Sequence, residues 1–174
     1  MARMWERPGS GECADYYHGY IRLVPAGDDL PGAALQEMQT LRAVLAEVSE
    51  GASARSYAPG KWSIREVVGH IADVERIMSV RALRFARGDD TPLPGMEQDP
   101  YVAGSGHGAR SLSSLLDELE TIRHATVSLM RSFDHAAVGR SGEASGARAT
   151  VRAICFLTVG HAIHHRKVLQ DRYL

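Results

Sequence analysis

Near the C-terminus three histidines fall within five residues, in Gly160-His161-Ala162-Ile163-His164-His165. On a helix, about 100° of turn per residue sorts them by face. Val151, Ile154, Cys155, Thr158, Ala162 and Leu169 make one apolar stripe, and His161 and His165 fall inside it, one turn apart. His164 lies about 100° from the stripe's centre, towards solvent, which makes it a bystander or at most an outer group. An i, i+4 pair of imidazoles can converge on one metal ion. Two imidazoles on an apolar face must each find a partner or lose their solvation. The plain reading is two core side chains, each donating to a backbone carbonyl. A metal ion satisfies both at once.

A third ligand has to come from a facing helix. His70 is the one histidine of the second helical segment, at the flank of its apolar stripe beside Val74 and Ile77. Three neutral imidazoles leave a position for water, whereas a structural zinc site is normally closed by four ligands. The uncompensated charge of the ion would lower the pKa of that water towards neutrality. Other helical metal patterns are excluded. HExxH needs Glu where Ala162 stands, and none of the eight histidines has Glu three residues before it, as the di-iron bundles require. Candidate helpers are Asp73, one turn after His70, and Asp99 and Tyr101 further on. Asp73 could accept from an imidazole and orient it, against the plainer reading of a solvated surface carboxylate. Arg81 and Arg84 could bind an anionic substrate, although exposure is the ordinary state of arginine.

Four segments with helical periodicity must position these groups. The first follows Pro31, with Leu35, Met38, Leu41, Leu45 and Val48 spaced by three and four, and ends at Gly51. The second opens on Ser63-Ile64-Arg65-Glu66, a capping box that accounts for Glu66, with Trp62 and Val67 placed as a hydrophobic staple. It runs through Ile71, Val74, Met78 and Phe85 towards Gly88. The third starts near Ser111, and the fourth runs from about Thr150 to the end. Few stretches alternate as strands do. The pattern predicts an all-α four-helix bundle with a long irregular loop, Gly88 to Arg110, between the second and third helices. Phe156, Val159 and Ile163 form a second apolar strip on the fourth helix, available to the aromatic segment Tyr16 to Ile21 or to a dimer contact.

The 174 residues suit one domain over 1–174, with 1–15 expected to be poorly ordered. A net charge of −1 offers no footprint for nucleic acid. No apolar run reaches the length needed to span a bilayer, and the N-terminus has no apolar core of a signal peptide. Cys13 and Cys155 make neither a disulfide framework nor a CxxC, which points to a reducing cytoplasm.

Gly60-Lys61-Trp62-Ser63-Ile64-Arg65-Glu66-Val67-Val68-Gly69-His70 and Ala72-Asp73-Val74-Glu75-Arg76 resemble the DinB/YfiT superfamily of metal-binding four-helix bundles. So do Arg81 to Asp89, Gln98-Asp99-Pro100-Tyr101 and His161 to His165, and the resemblance runs from Tyr16 to Leu174. It implies a homodimer whose His70, His161 and His165 hold zinc or nickel, with iron or manganese as alternatives. It also implies a metal-dependent enzyme acting on a small molecule. The class is either a hydrolase or a transferase using a low-molecular-weight thiol such as bacillithiol, mycothiol or glutathione. The alternative is a metal-stabilised dimeric binding module without catalysis.

Overall fold

The computed structural model describes residues 4–174. Its body is four long helices: α2 (Leu30–Leu45), α4 (Ile64–Ala86), α6 (Leu112–Arg131) and α8 (Val151–Arg172). Each starts where a short polar side chain can accept from a backbone N–H left free by the first turn. Asp29 accepts from Gly32, Ser111 from Ser114 and Thr150 from Ala153. At α4 the full capping box forms, with Glu66 reaching back to the Ser63 N–H at 2.7 Å. The first segment stops sooner than its periodicity predicts, at Leu45. A separate turn, α3 (Glu50–Ser53), follows under its own cap, Ser49.

Helix α4 packs mainly on α6 and α8, and α2 packs on the same two helices from the other side. The helices α2 and α4 therefore sit on one diagonal and α6 and α8 on the other. Two of the three long connections cross the bundle rather than joining neighbours. The second crossing carries α7 (His135–Gly139) and a hairpin, β1 (Ser141–Ala144) with β2 (Ala147–Thr150). The hairpin has no alternation of large apolar residues to announce it. Its turn does carry a Ser-Gly signal, with positive φ at both Ser145 (56°) and Gly146 (72°), as a tight hairpin turn requires.

The connection from α4 to α6 is not the irregular loop expected. It contains α5 (Gln98–Ser105), whose Pro100 falls in the first turn, where a missing N–H costs nothing. It also docks on the hairpin: Leu93 N–H donates to Glu143 O (3.0 Å) and Ser145 N–H to Leu93 O (3.1 Å). The expectation of disorder over 1–15 falls partly on residues 1–3, which lie outside the described residues. From Met4 onward the chain lies against the bundle, with Trp5 and Cys13 buried. Helix α1 (His18–Ile21) packs on α8, so the strip Phe156, Val159 and Ile163 is covered by the chain's own N-terminal segment. Gly160 makes that approach possible, since a Cβ there would stand 2.2 Å from the carbonyl oxygen of Tyr20.

The apolar interior divides into two clusters along the bundle axis. One holds Met38, Leu41, Ile64 to Ala72, Leu112 to Leu119 and Leu169; the other holds Ala34, Val74 to Ala86, Val127 to Phe133 and Val151 to Val159. Between them each long helix contributes polar groups: Glu37 from α2, His70 and Glu75 from α4, Arg123 and Thr126 from α6, His161, His165 and Arg166 from α8. A polar layer thus crosses the bundle at mid-height. In it Glu75 faces Arg123 at 2.7 Å and Glu37 faces Arg166 at 2.7 Å.

Candidate metal centre

Besides Thr126, the remaining polar groups of that layer are three histidines. His70 stands on α4, and His161 and His165 are one turn apart on α8. His161 is the hub: its Nε2 lies 3.2 Å from Nε2 of His70 and 3.1 Å from Nε2 of His165. All three ligand atoms fall within 4.8 Å of one another. Burial pushes the His70 imidazole down to about 4 and His165 down to about 3, and holds His161 well below the ordinary histidine range. The rings are therefore neutral at pH 7, with lone pairs free to bind a cation.

The geometry itself argues for a cation. A neutral imidazole nitrogen carries either one proton or one lone pair. His161 Nε2 can therefore donate to one neighbour or accept from one, and cannot satisfy both contacts. Hydrogen bonding among the three rings leaves at least one close nitrogen pair unsatisfied. One ion between them would use all three lone pairs. Two nitrogens at 2.0–2.1 Å from a tetrahedral ion stand about 3.3–3.4 Å apart, close to the separations seen at His161. Nδ1 of His70 is buried without a hydrogen-bond partner among the described residues, so none of them fixes its tautomer; an ion at Nε2 would fix it. The residues fit a divalent ion.

The centre opens on two sides. A cavity of 320 Å³ is bordered by His70 and His161, by Tyr17 and Tyr20 from the N-terminal segment, and by Glu97 and Gln98 at the start of α5. A second cleft beside His165 is bordered by His164, Asp99, Lys61 and Trp62. Asp99 thus borders the centre. His164 is half-buried, its ring edge-on to Tyr20 at 5.1 Å between centroids. Asp73 goes elsewhere: its Oδ2 accepts from His107 Nε2 at 2.9 Å, and no hydrogen bond joins it to the three clustered rings. The buried His107 ring lies flat against α4, because Gly69 leaves room where a Cβ would come within 2.3 Å of it. Tyr101 is exposed in the cleft that Asp73 and His107 border, away from the cavity.

Two residues of the cavity, Tyr20 and Glu97, its only carboxylate among the described residues, carry no motif. Arg81, read from the sequence as a candidate anion binder against ordinary exposure, is 4% exposed and lines the cavity. Neither cysteine belongs to the cluster. Burial pushes Cys155 up to about 12 and Cys13 upward, so a thiolate at this centre would have to arrive with a co-substrate.

A four-helix body with three inward imidazoles beside an open cavity defines a class of metal-site bundle. The family model of the DinB superfamily matches residues 34–169, and the chain belongs to that superfamily. Among solved structures it is similar to YfiT from Bacillus subtilis, described as a probable metal-dependent hydrolase with an unusual four-helix bundle topology. The TM-score is 0.69 at 16% identity, over 95% of this chain and 90% of that one. No curated protein is detectably similar to it in sequence. No helix of the described residues is long and apolar enough to cross a membrane.

Proposed function

We propose that the chain is a metal-dependent hydrolase of a small organic substrate, with His70, His161 and His165 as ligands. The supporting observation is the convergence of three neutral Nε2 atoms at the wall of a cavity in the small-molecule range. A divalent ion there supplies Lewis acidity and a nucleophile at neutral pH. The protein's own residues supply the rest. Burial keeps the rings unprotonated, and the α4–α8 packing holds them in place. The apolar wall of Val74, Met78 and Leu157 excludes water from one side of the substrate. HExxH proteins use a helix-borne Glu for proton transfer; here that role is assigned to Glu97, the residue before α5, which borders the cavity.

The test is metal analysis of the purified protein together with an ester and amide screen, run with and without added glutathione, bacillithiol or mycothiol. The expected result is one ion per chain and hydrolysis that needs no thiol. Turnover only with a thiol would replace hydrolysis by thiol transfer at the same site. Absence of stoichiometric metal would end the reading altogether, and bound metal without turnover would favour a binding module.

A further inference from the structure

The cavity floor is a single strip of α4. His70, Val74, Ile77, Met78 and Arg81 lie at i, i+4, i+7, i+8 and i+11, the spacing of one helix face. Three turns separate its ends, about 16 Å along the axis. An imidazole of the metal centre stands at one end and a guanidinium at the other. The middle is apolar.

Arg81 is buried to 4% exposure yet forms no ion pair among the described residues. This sets it apart from the other buried arginine, Arg123, which faces Glu75. Its Nη2 donates to the Pro94 carbonyl (2.8 Å) and to Ser145 Oγ (3.1 Å), while Nη1 meets only the Met78 sulfur at 3.8 Å. Five N–H donors thus find two oxygen acceptors, both neutral. Glu97, the one carboxylate of the cavity among the described residues, is exposed and makes no ion pair with it there. Beside Arg81, burial pushes the Tyr17 phenol up to about 12, keeping it a hydrogen-bond donor. A buried cation that no protein anion faces carries a desolvation cost that a bound anion would offset.

We infer that the substrate is a small organic carboxylate whose acid group sits on Arg81, while its labile bond lies at the three histidines across the apolar strip. The inference rests on the hydrolase reading for the far end only. A planar carboxylate matches the fork of a guanidinium. A phosphate dianion on Arg81 would leave a charge unmatched, since among the described residues no second arginine or lysine lines the cavity.

Calorimetry with phenylacetate and its neutral counterpart phenylacetamide tests this, using wild type as purified and after chelator treatment, alongside Arg81→Gln and Arg81→Lys. Wild type should prefer phenylacetate by about ten-fold or more, the usual worth of a hydrogen bond to a charged group. The preference should survive chelation, vanish in Arg81→Gln and persist in part in Arg81→Lys. Equal affinities in wild type, or an unchanged preference in Arg81→Gln, would overturn the assignment. So would loss of the preference on chelation, which would place the acid on the ion instead. If Arg81→Gln does not fold, the Arg81 Nε–H resonance of wild type decides: it must shift on adding phenylacetate, and an unmoved resonance refutes the contact. A protein without metal that keeps the preference would remove the hydrolase reading and leave this one standing.

Discussion

Helix α4 turns one buried polar residue towards each of its two neighbours, and the two contacts are built differently. Towards α6 it presents Glu75, 2% exposed, against Arg123, 1% exposed. The opposite charges neutralise each other at 2.7 Å. Towards α8 it presents His70, 1% exposed, against two more imidazoles and no charge at all. Both cost desolvation. The first contact is charge-balanced as the chain folds, although Glu75 Oε1 and Oε2 and Arg123 Nε find no well-aligned hydrogen bond among the described residues. The second is complete only with a cation, because His161 Nε2 cannot serve two like neighbours by hydrogen bonding. Within one polar layer, then, the half that balances its own charge lies at the α4–α6 contact, and the half that does not is the proposed binding site.

The largest expected effect is on the incomplete half. His161→Ala removes the ring that both others approach, so the protein should lose its ion and its turnover together. Its metal affinity should fall by more than the about 10–100-fold lost when only an outer partner of a metal ligand is removed. Elemental analysis and circular dichroism on the same sample check it. A variant that kept stoichiometric metal would move the site away from these three residues.

On the charge-balanced half the prediction reverses. Arg123→Met strands a buried carboxylate and should destabilise the fold by about 3–5 kcal/mol in urea unfolding, with metal content unchanged. Replacing both partners, Glu75→Leu with Arg123→Met, should recover most of that loss, since neither charge is then left buried. If Arg123→Met lost metal while still folded, the two halves would not be separable. That outcome breaks the comparison.

Two glycines test how the neighbouring segments are held against the centre. In Gly160→Ala the new Cβ would stand 2.2 Å from the Tyr20 carbonyl oxygen, a rigid backbone atom. In Gly69→Ala it would stand 2.3 Å from the His107 ring, a side chain that can swing. Overpacking of this kind costs about 1–3 kcal/mol, and the backbone clash should take the upper end. Gly160→Ala should also displace Tyr20 from the cavity wall and weaken substrate binding, read as a raised KM, whereas Gly69→Ala should leave KM alone.

How far the sequence discloses this arrangement depends on what kind of signal each part carries. The four long helices have apolar periodicity and capping residues, and those are local properties of the chain. The same local geometry separates His161 and His165 from His164 by face. What stayed hidden depends on contacts distant in sequence. The α5 helix is short and Gly/Pro-rich, and is held by its docking on neighbouring elements. The hairpin is made of small residues and pairs with Leu93. Arg81 is buried because Pro94 and Ser145, 13 and 64 positions away, close over it. Asp73 shows the limit most clearly. Its place one turn after His70 suggested service to that ring, but His107, 34 residues on, claims it.

The smallest expected effect concerns that same aspartate, and it separates a supporting wall from the metal centre. Asp73 holds His107 at 2.9 Å, and His107 fills the space over Gly69, one residue before a metal-site histidine. If the pair only fixes this wall, Asp73→Asn keeps the shape and loses one charge-assisted hydrogen bond. The Asn amide oxygen still accepts from His107, so the loss should be about 1–1.5 kcal/mol of stability, with metal affinity and kcat within about two-fold of wild type. If instead the Asp73 charge tunes the centre through His70, metal affinity should fall by about 10–100-fold while stability hardly changes. Urea unfolding and metal titration of the one variant distinguish these outcomes. The structure favours the first, because the carboxylate is already engaged by a ring outside the cluster and no hydrogen bond links it to His70, His161 or His165.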